Sequence, residues 1–113
     1  GPEVGRAPAW PMWYWRTEGK DPEKVRQAAR YFDVVNFASR VTCPTLVGMG
    51  LVDTTCPASG VFAMTNQLRG PKEVVVMPDS GHGGPNDVLE EREKAWLEAL
   101  KHGGGPPLAA AGR

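Results

Sequence analysis

Two short apolar runs constrain the fold of this chain most strongly, because apolar and polar residues do not alternate within them. They are residues 45–51 (TLVGMGL) and 73–77 (EVVVM). Runs of this kind are typical of strands that are buried on both faces of a parallel sheet. Pro44 precedes the first run and Pro78 follows the second. The sequence therefore predicts two buried strands, the first beginning after a proline and the second ending before one.

A helix is predicted before the first strand. Asp21 can cap it, Pro22 suits its first turn, and Glu23 complements the positive end of the helix dipole. Apolar residues follow at spacings of three and four and predict one buried face, formed by Val25, Ala28, Ala29 and Phe32. We expect this helix to end between residues 33 and 36.

Two more helices are predicted, one between the strands and one after them. The first spans about residues 57–68 and is stopped by Gly70 and Pro71. The second begins after Asn86 or Asp87 and ends at Gly103. Its predicted buried face is formed by Leu89, Trp96, Leu97 and Leu100.

The order helix, strand, helix, strand, helix predicts an α/β fold with a parallel sheet and right-handed crossovers. Two strands are too few for a stable sheet with helices on both sides, since their edges need neighbours. We therefore expect 21–102 to be the C-terminal portion of a larger α/β domain. Residues 103–113 are predicted to be a disordered tail. Residues 1–20 are predicted to be a loop segment with a packed aromatic cluster, namely Trp10, Met12, Trp13, Tyr14 and Trp15.

Composition excludes several classes of function. Thirteen basic and thirteen acidic residues give a formal net charge of zero, whereas binding of nucleic acid or of an anionic membrane needs a basic excess. No apolar run approaches the roughly 20 residues that span a bilayer. The two cysteines are too few for a disulfide scaffold, and we expect one buried thiol and one loop thiol. The compartment of the protein stays open.

A carboxylate and an imidazole follow the two predicted strands. Asp53 comes directly after the first strand, and His82 lies a few residues after the second, in a glycine-rich loop. Functional groups of open parallel sheets gather at the carboxyl ends of strands. We expect these side chains to meet there as the acid and the base of a catalytic triad. In α/β-hydrolases the triad follows the order Ser, Asp, His, and this pair matches its last two members.

Each of these residues also has a simpler structural interpretation. Taken singly, Asp53 could be a turn former and His82 an exposed loop residue. Asp33 and Asp79 are reserve candidates for the triad acid. A metal site formed by His82, Asp79 and Asp87 lacks recognised spacing, and His82 fits a triad better. The predicted triad needs neither a metal nor an organic cofactor.

The nucleophile of the predicted triad is missing from the sequence. The elbow motif of α/β-hydrolases is G-x-S-x-G, and none of Ser39, Ser59 and Ser80 has glycines two residues to each side. The serine is therefore expected upstream of Gly1, and the isolated chain is expected to be inactive.

Several stretches resemble the C-terminal third of acetylxylan esterases, a family that includes cephalosporin-C deacetylases. They are YFDVVNFA at 31–38, CPTLV at 43–47, GLVDTTCP at 50–57 and GH at 81–82. The similarity runs from about Trp10 to about Leu100. Where the family often has Pro-Pro this chain has Pro57 and Ala58, and Gly83 replaces a frequent acidic residue.

The resemblance implies a fold and an activity. The fold would be that of an α/β-hydrolase, of which this chain forms the last two parallel strands with flanking helices. Asp53 would match the triad acid and His82 the triad base, without a cofactor. The activity would be deacetylation of small acetylated sugars, performed in the full-length protein by a homo-oligomer. Alternatives are a prolyl-oligopeptidase-like peptidase, a dienelactone-type hydrolase, and a non-catalytic truncated chain or binding module.

Overall fold

The computed structural model describes residues 19–108. It contains α1 (Pro22–Ala29), β1 (Thr45–Gly50), α2 (Ala58–Gln67), β2 (Lys72–Met77) and α3 (Asp87–Lys101). Two short 3-10 helices, Val34–Asn36 and Ala38–Arg40, lie between α1 and β1. The aromatic cluster predicted at 10–15 and the last five residues of the predicted tail lie outside the described residues.

The two strands pair in parallel, as the sequence predicts. The register runs from Thr45 opposite Lys72 to Gly50 opposite Met77. A parallel pair requires a crossover connection, and α2 provides it. Both carboxyl ends therefore lie at the same edge of the sheet, so the loops after β1 and β2 are neighbours.

Burial along the strands is more alternating than the apolar runs suggest. In β1, Val47 and Met49 are buried while their neighbours are half-buried. In β2, Glu73, Val75 and Met77 are buried, but Val76 is 45% exposed. The prediction that both strands are buried on both faces is therefore wrong for the described residues.

The first helix is shorter than predicted. Asp21 caps it by accepting a hydrogen bond from the Glu23 N–H, and Val25 and Ala29 are buried as expected. The helix then ends at Ala29, and Phe32 is 73% exposed. Asp33 instead accepts a hydrogen bond from the Val35 N–H and begins a 3-10 helix. A side chain that binds its own backbone in this way competes with continuation of the α-helix.

A small apolar core lies between α2 and β1. It is built on buried Ala38, Val47 and Leu68, with Val61 and Met64 of α2 packed against it. Helix α2 begins at Ala58 and ends at Gln67, within one residue of each predicted bound. This core fixes β1 relative to the helix that follows the Asp53 loop.

Helix α3 packs on the sheet through a face that differs from the predicted one. Trp96 is buried, but Leu97 is 60% and Leu100 57% exposed, so their predicted burial is wrong here. The Arg92 guanidinium forms two hydrogen bonds to the buried Glu73 carboxylate, at 2.6 and 2.9 Å. Bidentate pairs of this type are strong and directional, and this one joins α3 to β2.

The end of α3 agrees with the sequence. Lys101 lies in the last turn, His102 is the C-cap, and Gly103 has a φ of 72°. Residues 103–108 contain no helix or strand. Among the described residues, none of the helices has the length and apolar character needed to span a membrane.

Candidate active site

The loops after β1 and β2 are joined by backbone hydrogen bonds. The Leu51 N–H donates to the Met77 carbonyl at 3.1 Å, and the Val52 N–H donates to the Ser80 carbonyl at 3.2 Å. The parallel ladder thus continues past the end of the strands. These bonds fix the position of Asp53 on the first loop relative to His82 on the second.

Asp53 is held by the backbone of its own loop. Its Oδ1 accepts hydrogen bonds from the N–H groups of Thr55 and Cys56, both at 2.8 Å. This arrangement is an Asx-type turn, which Asp forms readily after a strand. The side chain is only 11% exposed. With Oδ1 engaged in this way, Oδ2 is directed to the neighbouring loop.

The His82 ring contacts that second oxygen. Its Nδ1 lies 3.2 Å from Asp53 Oδ2. The ring is carried by a tight loop in which Gly81 and Gly84 form an antiparallel bridge. Gly84 has a φ of 102°, a conformation that residues with a β-carbon rarely adopt. The predicted meeting of Asp53 and His82 at one edge of the sheet is thereby confirmed.

The hydrogen bonds lower the pKa of Asp53 below its ordinary value of 3.8. The largest cause is the Cys56 N–H, because it stabilises the carboxylate; partial burial opposes it. The hydrogen bonds from His82 and from the Thr55 N–H lower the pKa further. Asp53 is therefore a carboxylate at neutral pH.

A carboxylate that accepts from Nδ1–H selects one tautomer of the imidazole and leaves Nε2 as the acceptor. The His82 side chain is 60% exposed. Among the described residues, the bond to Asp53 is the only hydrogen bond of the ring. The arrangement can take a proton at Nε2 and stabilise the resulting imidazolium.

Among the described residues, neither of the reserve candidates for the triad acid hydrogen-bonds to this histidine. Asp33 lies at the start of a 3-10 helix and accepts from the Val35 N–H. Asp79 is exposed, and no hydrogen bond joins it to His82 among the described residues. His102, the other histidine, lies at the end of α3, 3.6 Å from Glu98.

A family model described as Acetyl xylan esterase (AXE1) matches residues 12–100. The chain belongs to this family. The predicted membership is thus confirmed over most of the sequence.

Two relatives show that this chain matches only part of the length of other family members. The solved structure of an acetyl xylan esterase from Paenibacillus sp. R4 matches with a TM-score of 0.67 and 42% identity. The match covers 77% of this chain and 28% of that one. Acetyl esterase Axe7A from Xylanibacter ruminicola is 43% identical over 77 residues, which are 68% of this chain and 17% of that protein. This AXE1 chain therefore has the fold of one part of an α/β-hydrolase.

Among the described residues, no serine of the chain hydrogen-bonds to the His82 ring. Ser80 is buried, and its hydroxyl donates to the Pro85 carbonyl across the loop that carries His82. Ser39 lies in a 3-10 helix and Ser59 in the first turn of α2. Neither hydrogen-bonds to the His82 ring.

Sequence reasoning missed one residue of this site, Cys56. One donor atom of Cys56, one of Asp53 and one of His82 all lie within 4.8 Å of one another. The metal set considered from the sequence, with Asp79 and Asp87, does not form this group. A signal was present, because an Asx turn at Asp53 folds the third following residue back toward the carboxylate. Both Cys56 and Cys43 are free and exposed, so the expectation of one buried thiol is wrong.

Proposed function

We propose that this chain supplies the acid and the base of a Ser-Asp-His triad to a serine esterase. The enzyme would remove acetyl groups from small acetylated sugars or xylo-oligosaccharides. The observation that carries the proposal is the 3.2 Å contact between Asp53 Oδ2 and His82 Nδ1, made between loops that follow adjacent parallel strands. Membership in the AXE1 family supports ester hydrolysis, and the names of both relatives support an acetyl ester.

The chemistry follows from the tautomer of His82. Asp53 accepts from Nδ1–H, so Nε2 takes the proton of the serine hydroxyl as that oxygen attacks the acetyl carbonyl. The imidazolium then protonates the departing sugar oxygen, which leaves as a free hydroxyl. Water attacks the acetyl-enzyme with Nε2 as base again, which releases acetate and restores the serine. No step of this mechanism requires a metal or an organic cofactor.

The nucleophile belongs to another part of the enzyme in this proposal. All three serines of the sequence lie among the described residues, and no hydrogen bond joins any of them to His82. An upstream serine would reach Nε2 from the exposed side of the ring. The backbone N–H groups of an oxyanion hole would come with it.

Two measurements test the proposal. The 113-residue chain alone should not hydrolyse p-nitrophenyl acetate; turnover that Ser59→Ala or Ser80→Ala abolishes would contradict the assignment of the nucleophile. The chain should also function when it replaces the matching segment of the Paenibacillus acetyl xylan esterase. In that chimera, Asp53→Asn should lower kcat by about 10⁴-fold, because the wrong imidazole tautomer predominates.

Substrate choice separates the esterase from the alternatives. The chimera should release acetate from acetylated xylo-oligosaccharides and should not cleave a peptide p-nitroanilide. Near-normal kcat in the Asp53→Asn chimera would show that Asp53 only forms a turn, and it would contradict the proposed triad.

A further inference from the structure

Three different donor types lie close together at the proposed active site, and one of them is the imidazole of the proposed base. A carboxylate oxygen of Asp53, the Cys56 thiol sulfur and a ring nitrogen of His82 lie within 4.8 Å of one another. Cys56 and His82 are exposed, and the Asp53 side chain is 11% exposed. The three groups are therefore clustered and open to solvent from one side.

The donor set is selective for one class of ion. Thiolate, imidazole and carboxylate together suit Zn²⁺ and its analogue Co²⁺, whereas Mg²⁺ and Ca²⁺ prefer oxygen ligands alone. A tetrahedral zinc site with bonds of about 2.0–2.3 Å separates its ligand atoms by about 3.3–3.6 Å. The observed limit of 4.8 Å is larger by about an ångström. Closing the site on an ion would therefore require rotation of the Cys56 and His82 side chains, both of which are exposed.

The local backbone already orients the acidic ligand. The N–H groups of Thr55 and Cys56 hold Asp53 Oδ1 at 2.8 Å, and Oδ2 is the atom that faces His82. Hydrogen bonds of this kind to the second oxygen fix a carboxylate ligand in a metal site. Cys56 forms no disulfide, so its sulfur is available.

We propose that Asp53, Cys56 and His82 bind a zinc-type divalent cation through three protein ligands, with a water molecule in the fourth position. Binding deprotonates the Cys56 thiol and releases that proton to solvent. The metal replaces the hydrogen bond between His82 and Asp53, and neutral His82 gives a ring lone pair to the metal while its proton lies on the other ring nitrogen. The bound metal and the proton-transfer role of His82 exclude each other. The cation is therefore a reversible inhibitor of the AXE1 enzyme; this consequence rests on the proposed function, whereas the binding itself does not.

Cobalt binding by the 113-residue chain tests the site without any activity measurement. Titration with Co²⁺ at pH 7.5 should give one bound ion per chain and a thiolate-to-cobalt charge-transfer band. Cys56→Ser should remove the band and weaken binding by more than about tenfold, since even outer ligands contribute that much. The matched controls, Cys43→Ser and His102→Gln, should retain both the band and the affinity.

Two results would overturn the proposed site. One is a charge-transfer band that survives in Cys56→Ser and disappears in Cys43→Ser. The other is the absence of a band in a wild-type chain whose circular dichroism shows the expected helix and strand content. Cys56→Ala and His82→Gln provide second variants, and each should also lack the one-equivalent binding.

Inhibition of the chimera separates this proposal from the proposed function. The quantity compared is the Zn²⁺ concentration that halves each enzyme's own uninhibited rate. It should be equal for the chimera and its Cys43→Ser variant, and more than about tenfold higher for Cys56→Ser. Equal inhibition of all three would contradict the role of Cys56. The kcat of the Asp53→Asn chimera, measured in the presence of a chelator, tests the triad alone. The proposed triad and the proposed cation site can therefore be contradicted separately.

Discussion

Gly50, the last residue of β1, lies directly against the backbone carbonyl of Ser80. A β-carbon at Gly50 would overlap the Ser80 carbonyl oxygen and stand 3.0 Å from its carbonyl carbon. Because both partners are backbone, neither can move aside as a flexible side chain could. This close approach lets the loops that carry Asp53 and His82 continue the parallel ladder, as the Val52 to Ser80 hydrogen bond shows.

Gly50→Ala should therefore separate the two loops. We expect a loss of free energy of unfolding of about 1–3 kcal/mol, because overpacking at a fixed backbone forces a shift. In the chimera it should also lower kcat, since the Asp53–His82 bond depends on that approach. Urea unfolding and steady-state kinetics measure the two effects.

Gly60→Ala is the matched control for that substitution. A β-carbon at Gly60 meets nothing within 4 Å, and the residue lies inside α2. Alanine there should raise the free energy of unfolding by up to about 1 kcal/mol. Equal behaviour of the two alanine variants would contradict the packing assigned to Gly50.

Asp53 should make a pH-dependent contribution to stability. Its pKa is lower in the folded chain than the ordinary value of 3.8, first because of the Cys56 N–H. The folded state therefore binds the proton less tightly, so the contribution is complete above the unfolded pKa and is lost as the pH falls through the folded pKa. The difference in Tm between wild type and Asp53→Asn should be largest above about pH 5 and should shrink toward pH 2. A difference that grows on acidification would have the wrong sign.

The pair of Arg92 and Glu73 should behave as one unit. Glu73 is 4% exposed and accepts two hydrogen bonds from Arg92, the shorter at 2.6 Å. Arg92→Ala leaves a buried carboxylate without this partner, so it should lower Tm more than the double variant Arg92→Met with Glu73→Leu. Thermal melts of Arg92→Met, Glu73→Leu and their double variant measure this coupling. Strictly additive changes in Tm would show that the two side chains do not stabilise each other.

The positions of the proposed acid and base could be predicted because they depend on topology. Two apolar runs joined by a helix require a right-handed parallel crossover, and Asp53 and His82 follow those runs closely. Parallel pairing then brings both loops to one edge of the sheet. No detail of side-chain packing was needed for this step.

Helix bounds and buried faces depended on contacts that the sequence does not encode locally. Phe32 fits the spacing of α1, yet the Asp33 carboxylate binds the Val35 N–H and a 3-10 helix forms instead. Leu97 and Leu100 fit an apolar stripe of α3, but the helix packs through Trp96 and through Arg92, whose partner Glu73 lies on β2. An ion pair that joins a half-buried arginine to a buried glutamate 19 residues away cannot be inferred from apolar periodicity.

Cys56 was missed for a different reason. Its proximity to His82 arises from a turn within one loop combined with a contact between two loops, and neither is visible in a spacing rule such as C-x-x-C. The Asp-Thr-Thr-Cys order predicts the turn alone. The contact depends on the close approach of Gly50 to Ser80.

The most direct test of the account compares the two histidines of the chain in the esterase chimera. The kcat for acetate release should fall by at least about 10⁴-fold in His82→Gln, because the base that activates the serine is lost. It should stay within about twofold in His102→Gln, whose side chain is 81% exposed at the end of α3. A His82→Gln enzyme with near wild-type kcat would contradict the central claim that this imidazole, held by Asp53, performs the proton transfer.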